Sequence, residues 1–423
     1  MIPAIIIFAV TYILMLAFSK YRSYIALASG LIFIISGMLP VKEILSSIDF
    51  NVILMIAGTM GLVALFTESK MPALLADLIM EKVPNVMWAA VALSLFAGII
   101  SAFVDNVATV LMVAPIALAI CKKLGTNPVP FIIAIAVSSN LQGAATLIGD
   151  TTAIMLGSAL DMSFLEFFWY HGKPSIFFAV ELGAVTSTFI LIYLFRKEKN
   201  AIPKATTRTK VTDLVPTFLL VLTLLLLIGA SFIDDKPATT NGLICCALLV
   251  IGLVYTVIKT KKFTPVISAL KEIDFTTIGI LLGLFIMIGG ISAQGVIDAA
   301  GNLLAKAGGG NMFLLYTIIV WASVLISAFI DNIPYVATMI PVIASLATTL
   351  GVDPTPLYFG LLSGATLGGN CTPIGASANI TGIGILRKEG YEVKNKDFFR
   401  IGIPFTLAAI VPAYIYIWLV YGI

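Results

Sequence analysis

The sequence predicts an all-α polytopic membrane protein built from two inverted repeats. Each repeat has five transmembrane helices, one of them discontinuous, and a re-entrant hairpin. The 423 residues are 60% hydrophobic and only 11% charged, whereas soluble chains carry roughly 25% charged residues. Apolar runs long enough to span a bilayer recur along the whole chain, and one polar motif occurs twice, about half a chain apart. These observations predict the fold class.

The duplicated motif reads SAFVDNVATVLMVAP at 101–115 and SAFIDNIPYVATMIP at 327–341, an offset of 226 residues. Each copy places an aspartate, Asp105 or Asp331, deep inside an apolar run where a charge is costly. A loop reaching the far membrane surface would usually carry more polar residues than one Asp-Asn pair. We therefore predict two re-entrant hairpins, at 86–121 and 312–349. Two full crossings in each block would fit the distribution of charges equally well.

A discontinuous helix is predicted after each hairpin. The apolar run 128–158 is interrupted by SSNLQGAATLIGDTT, and the run 355–386 is interrupted by GGNCTPIGASAN. Such breaks leave backbone groups unpaired, which a membrane tolerates only where protein or water lines the backbone. The tetrapeptides TLIG (146–149) and TPIG (372–375) keep the 226-residue offset of the hairpin tips. The breaks therefore belong to the same repeated unit as the tips.

The domain organisation follows from this pattern: an N-terminal repeat (1–195), a polar cytoplasmic linker (196–213) and a C-terminal repeat (214–423). Five crossings per half invert the second repeat. In this topology all of the 25 Lys and Arg residues except Lys42, Lys173, Lys236 and Lys306 lie on one side. The positive-inside rule makes that side cytoplasmic. We predict a multi-pass protein of the plasma (inner) membrane with both termini outside.

The candidate binding site combines the tips and the breaks, which carry carboxylates, amides, hydroxyls and freed backbone groups. Its predicted residues are Asp105, Asn106, Asn140, Gly143, Thr146, Asp150, Asp331, Asn332, Asn370, Thr372, Ser377 and Asn379. Such groups suit hard cations or a small hydrogen-bonding solute. Sodium is expected at the amides Asn106, Asn140, Asn332 and Asn370. The alternative interpretation is that each tip aspartate only caps a helix, and that Pro373 only bends one.

The two half-sites are chemically unequal, because Asp150 in the first repeat aligns with Ala376 in the second.

Several other functions are disfavoured. The chain has a single histidine and no phosphate-binding Gly-x-x-x-x-Gly-Lys motif, so we predict neither an enzyme nor an ATPase. The clustered basic residues lie at predicted membrane boundaries, which disfavours nucleic-acid binding. No cofactor is expected beyond a coupling ion, H⁺ or Na⁺.

The paired motifs, together with NLQGAATLIGD and NCTPIGASAN, resemble the ion transporter superfamily. Within it the sequence resembles the arsenite permease, NhaD-type antiporter and P-protein group, and more distantly the divalent anion:sodium symporters. The resemblance covers nearly the whole chain. It implies a scaffold from the early spans, a mobile unit of hairpins and broken helices, elevator-type alternating access, and a homodimer. The resemblance leaves open whether the protein has a partner ATPase, as some arsenite permeases do.

The tips depart from those of dicarboxylate-carrying relatives, which have Ser-Asn-Thr where this chain has Asp105-Asn106-Val107 and Asp331-Asn332-Ile333. Two ionised carboxylates would oppose a dianion. The sequence therefore favours an ion-coupled secondary active transporter, proton-coupled, carrying a small cation (Na⁺) or a neutral metalloid (arsenite). A sodium-coupled symporter of a small oxyanion or dicarboxylate is the alternative. A passive channel is disfavoured by the inverted repeats.

Overall fold

Long apolar runs separated by glycine, proline and polar turns fold into helices along the chain. The computed structural model describes residues 1–201 and 208–423, so part of the predicted linker (202–207) lies outside the described residues. The helices of the first half are α1 (Ile2–Ala17), α2 (Arg22–Ile35), α3 (Ile44–Ser47), α4 (Phe50–Glu68), α5 (Met71–Met80), α6 (Val86–Ser101), α7 (Asn106–Leu124), α8 (Val129–Gly143), α9 (Thr151–Ala159) and α10 (Ile176–Phe195). Those of the second half are α11 (Val215–Ala230), α12 (Thr240–Thr260), α13 (Thr264–Lys271), α14 (Phe275–Ala293), α15 (Val296–Gly308), α16 (Met312–Ser327), α17 (Asn332–Leu350), α18 (Thr355–Gly368), α19 (Ser377–Lys388) and α20 (Asn395–Tyr421).

The predicted all-α membrane class is confirmed. Within the described residues, seven helices are long and apolar enough to cross a bilayer, or eight if the pair α15–α16, bent by 117°, is one broken span. Before the last helix of the first half, the chain forms a single 3₁₀ turn, Leu165–Phe167, and then a two-stranded ribbon, Trp169–Tyr170 with Lys173–Pro174. His171 and Gly172 have positive φ, which closes the ribbon tightly.

A scaffold unit is formed by α1, α2 and α4 of the first half with α11, α12 and α14 of the second. Its two main contacts, α2 with α14 and α4 with α12, each join one half to the other. Glycines allow the close approach. A Cβ at Gly283 would lie 2.3 Å from the carbonyl carbon of Ala26, and one at Gly58 would lie 2.6 Å from that of Cys245. Small residues commonly mediate such contacts between membrane helices.

A hairpin unit is formed by α6–α10 and α16–α20. Its internal pairs are α6 with α8, α16 with α18, and α10 with α20. The hairpins are α6–α7 and α16–α17, and the broken helices are α8–α9 and α18–α19. The two tips and the two breaks converge near the middle of this unit, where Asn140 contacts both Asn106 and Asn370 and where Asn332 contacts Asp150.

The C-terminal end of the linker packs against α5. Arg208 makes two hydrogen bonds to the Glu81 carboxylate, at 2.6 and 2.7 Å, and the backbone N–H of Thr209 donates to Asp77 at 2.7 Å. The hydrogen bond from Arg208 holds the pKa of Glu81 below its ordinary value. The linker therefore ties the second half to the helix that precedes the first hairpin.

Candidate functional site

The hairpin tips reach the broken helix of the first half. The side-chain amide of Asn106 donates to Asn140 Oδ1 at 3.0 Å, and Ser139 Oγ donates to the Asn106 carbonyl at 3.0 Å. The amide of Asn332 donates to Asp150 Oδ2 at 3.4 Å. Asn106 and Asn332 are both buried. Tips that end on buried groups inside the protein fit re-entrant hairpins better than loops at a membrane surface.

The two broken helices are joined by a pair of fully buried amides. Asn140 Nδ2 donates to the Thr366 carbonyl at 2.7 Å and to Asn370 Oδ1 at 3.0 Å, and Asn370 Nδ2 donates to the Val137 carbonyl at 3.0 Å. Neither asparagine lines the cavity described below. Their hydrogen-bonding capacity is used within the protein. Sodium coordination by these two amides is therefore not supported by the geometry, and we assign them the role of joining the breaks.

Each break is also attached to its own hairpin, in the same way in both halves. The hydroxyl of Thr146 donates a hydrogen bond to the Ala102 carbonyl, and the hydroxyl of Thr372 donates one to the Ala328 carbonyl. In the second break Asn379 Nδ2 bridges the carbonyls of Gly369 and Thr372, each at 3.0 Å. These predicted site residues hold the backbone of the breaks in place.

Glycine is required where each break passes its hairpin. A Cβ at Gly149 would lie 2.6 Å from the Gly143 carbonyl oxygen and 2.8 Å from that of Ser101, while Gly375 has the same close contacts with Gly369 and Ser327. A Cβ at Gly143 would lie 3.0 Å from the Cβ of Asp150. Backbone atoms cannot yield as side chains do, so both breaks are built around these glycines.

Gly149→Ala is expected to lower the thermal unfolding midpoint of the purified protein in detergent, because overpacking of this kind costs roughly 1–3 kcal/mol. Gly384→Ala is the matched control, since a Cβ there meets nothing within 4 Å and Gly384 lies inside a helix. The control should leave the midpoint unchanged or raise it slightly. Equal midpoints for the two variants would contradict the packing argument.

A cavity of about 350 Å³ opens between the scaffold unit and the hairpin unit. Its floor holds the predicted site residues Asp105, Asn106, Asp150, Asn332 and Ser377. Its rim carries three exposed acids that the sequence reasoning did not select, Glu68, Glu272 and Asp274. No Lys, Arg or His is among its described lining residues. The cavity thus carries five carboxyl groups without a basic side chain.

The floor acids are held in defined positions. Asp105 accepts hydrogen bonds from the backbone N–H groups of Val107 (3.0 Å) and Ala108 (3.1 Å), capping α7. Asp150 accepts from the Thr151 backbone N–H at 2.7 Å and the Thr152 hydroxyl at 2.8 Å, capping α9. Capping hydrogen bonds are therefore present at the tip aspartate Asp105 and also at Asp150, and the other tip aspartate, Asp331, caps α17 through the Ile333 N–H at 3.3 Å. Asp105 and Asp150 also line the cavity, where they remain accessible to a bound ion.

Asp331 lies apart from this cavity. It borders a separate small recess and pairs with Arg22, whose Nη1 is 3.2 Å from Asp331 Oδ2. Ser377 Oγ also donates to that carboxylate, at 3.4 Å. The structure therefore does not bring Asp331 into the cavity with Asp105 and Asp150, although the sequence reasoning grouped the three.

Arg22 and Asp274 were not selected as site residues from the sequence. Asp274 does cap α14 through the Thr277 N–H at 3.0 Å. Its repeat counterpart Asp49 caps α4 at the same distance. The sequence signal available for Arg22 was its charge just before an apolar helix, which alone does not indicate a partner. Among the described residues no group of three His, Cys, Asp or Glu side chains is placed to hold a metal ion.

Comparisons with known proteins agree with this architecture. The sequence profile of the CitMHS family, described as citrate transporters, matches residues 10–259 and 242–423. An uncharacterised transporter of Mycobacterium tuberculosis is 30% identical, with 99% of this chain and 98% of that protein covered. The human P protein is 27% identical over 86% of this chain, and the matched region is about half (52%) of that longer protein.

Solved structures of transporters share the fold. The YdaH transporter of Alcanivorax borkumensis matches with a TM-score of 0.61 and 13% identity, covering 89% of this chain and 87% of that one. MtrF of Neisseria gonorrhoeae, described among antimetabolite efflux pumps, matches with a TM-score of 0.58 and 14% identity over 93% of this chain and 85% of that one. At these identities the likeness concerns the fold alone.

Proposed function

Since the chain belongs to the CitMHS family of the ion transporter superfamily and is a multi-pass membrane transporter, we propose that it exchanges protons for a small cation, with Na⁺ as the first candidate. The observation that supports this proposal is the acidic cavity. Five carboxyl groups and no basic side chain line its described part. Two like charges about 4 Å apart repel by about 4 kcal/mol at the effective dielectric near a protein surface. An isolated anion is therefore opposed there, and a cation is attracted.

The proposed coupling uses the floor acids Asp105 and Asp150. Asp150 is only 5% exposed, and three donors, the Thr151 N–H, the Thr152 hydroxyl and the Asn332 amide, surround its carboxyl group. A buried carboxyl group favours its protonated form, whereas an adjacent cation favours the ionised form. Proton and cation would thus compete for the same oxygens. Release of one on binding of the other is an exchange mechanism that needs no cofactor.

The family description favours a second candidate, the uptake of a carboxylate such as citrate, with sodium as the coupling ion to test. The acidic lining opposes a free carboxylate anion, so such a substrate would have to enter with cations that neutralise it. Neutral arsenous acid would meet no electrostatic opposition and remains the third substrate to compare. The three differ in their dependence on sodium and on the proton gradient.

The test is a flux measurement on purified protein in proteoliposomes. With an imposed pH gradient and a pH-sensitive dye inside, addition of Na⁺ is expected to dissipate the gradient, saturably and only in protein-containing vesicles. Lithium, potassium, arsenite, citrate and succinate are compared in parallel. Gradient dissipation by citrate with sodium, but not by sodium alone, would replace the leading proposal with the second. No response to any cation would overturn it.

The proposed motion is elevator-type, because the cavity lies between the two packing units. Two of the exposed rim acids, Glu68 and Glu272, are close in sequence to Lys70 and Lys271. On the predicted topology that side is cytoplasmic, so the cavity faces inward here and both termini lie outside. A cysteine placed at the N-terminus is expected to react with an impermeant thiol reagent in intact cells, whereas one at Lys396 should react only after the membrane is permeabilised. The predicted homodimer remains a prediction.

A further inference from the structure

The two hairpin tips have different charge environments. Asp105 borders the open acidic cavity and has no basic neighbour among the described cavity-lining residues. Asp331 borders a recess of only about 30 Å³, lined mostly by apolar groups, and faces Arg22. The sequences of the two tips are nearly the same, so the difference comes from what the rest of the chain places against them.

The guanidinium group of Arg22 is held by two hydrogen bonds. Its Nε donates to the Met15 carbonyl at 3.2 Å, and its Nη1 donates to Asp331 Oδ2 at 3.2 Å. The side chains of Arg22 and Asp331 are only 22% and 15% exposed. A guanidinium group keeps its charge in any protein environment. Asp331 therefore has a permanent cation bound in this conformation.

The repeat symmetry identifies the counterpart of Arg22. Gly283 and Gly58 occupy the same position in their repeats, and they approach Ala26 and Cys245 in the same way. Ala26 therefore corresponds to Cys245. Four residues earlier in each helix, Arg22 corresponds to Asn241, which is neutral, buried, and has an Oδ1 without a hydrogen-bond partner. The position that would serve Asp105 by this symmetry thus carries no charge.

We propose that Arg22 is a tethered counter-cation that fills the cation site of the second hairpin tip, leaving one exchangeable cation site per chain, at Asp105 and Asp150. This inference rests on the proposed cation exchange and specifies its stoichiometry. A transporter with two equivalent tips would bind two mobile cations. In this conformation one of the two cations is supplied by the scaffold unit itself, as the guanidinium group of Arg22.

The experiment counts sodium ions. Saturable ²²Na⁺ binding to the purified protein is expected at one ion per chain for the wild type. Arg22→Gln should bind two, because Asp331 then needs a mobile cation. Arg22→Lys should stay at one. The double variant Arg22→Gln/Asp331→Asn should return to one, since its second tip is neutral. Lys20→Gln, which removes a nearby exposed charge, is the matched control and should behave as the wild type does.

Failure of this inference and failure of the proposed function give different results. If the wild type binds and transports sodium but Arg22→Gln gains no second ion, Arg22 is not a counter-cation. Two ions bound by the wild type, or a double variant that still binds two, would also overturn the inference. If the wild type shows neither sodium binding nor cation-dependent flux, the proposed cation exchange itself is wrong.

Discussion

Asp105→Asn and Asp150→Asn are each expected to lower proton-driven cation flux by at least about 100-fold, the size of effect typical when a proton-transferring group is removed. Both acids lie on the floor of the acidic cavity. Ionisable residues at membrane depth are costly and are retained mainly for function. If proton and cation share these oxygens, an amide that cannot ionise abolishes the exchange.

These substitutions separate function from folding. An asparagine side chain can still accept the capping hydrogen bonds that Asp105 receives from Val107 and Ala108 and that Asp150 receives from Thr151. Thermal unfolding midpoints should therefore stay close to that of the wild type. Asp397→Asn, at an exposed helix start, is the control and should transport normally. Flux near the wild-type level in both floor variants would show that the cavity acids are only helix caps.

The repeated sequence features could be predicted because local chemistry encodes them. A glycine-rich break, a threonine that hydrogen-bonds to its own hairpin and an aspartate at the helix start all act on residues nearby in the same repeat. Thr146 with Ala102 and Thr372 with Ala328 are examples, each pair lying 44 residues apart in its own half. In the structure, helices end and begin at these repeated positions, between α6 and α7, α8 and α9, α16 and α17, and α18 and α19.

The chemical partners of the site residues could not be predicted, because they depend on packing between the halves. Arg22 and Asp331 are 309 residues apart and belong to different packing units. Asn140 and Asn370 are polar residues at helix breaks, as ion ligands often are. Whether their amides face an ion or each other depends on how α8 meets α18. The rim acids Glu68 and Glu272 likewise gain their place only when the scaffold unit packs beside the hairpins.

Locking the two packing units together is expected to stop transport if they slide past each other. The hydroxyl of Ser158, in the hairpin unit, donates a hydrogen bond to the carboxylate of Asp49, at the start of α4 in the scaffold unit. Cysteines at these two positions should therefore be close enough for a disulfide or a short bifunctional thiol reagent. In a background in which the native cysteines Cys121, Cys245, Cys246 and Cys371 are replaced, oxidation should reduce flux in proportion to the fraction cross-linked, and reductant should restore it.

The control cross-link lies within one unit. A Cβ built at Gly279 is 3.4 Å from the Cβ of Ser23, close to the separation found in disulfides, and both residues belong to the scaffold unit. Ser23→Cys/Gly279→Cys should oxidise and still transport, because no motion is expected between α2 and α14. Single-cysteine variants, which cannot form the cross-link, measure how much flux is lost when the Asp49 carboxylate alone is removed. Sustained flux with the Asp49–Ser158 pair fully cross-linked would mean that alternating access involves no movement at this contact. Arrest of transport by the Ser23–Gly279 cross-link would instead place the motion inside the scaffold unit. Either of these two results would rule out an elevator in which the scaffold unit and the hairpin unit move as rigid bodies.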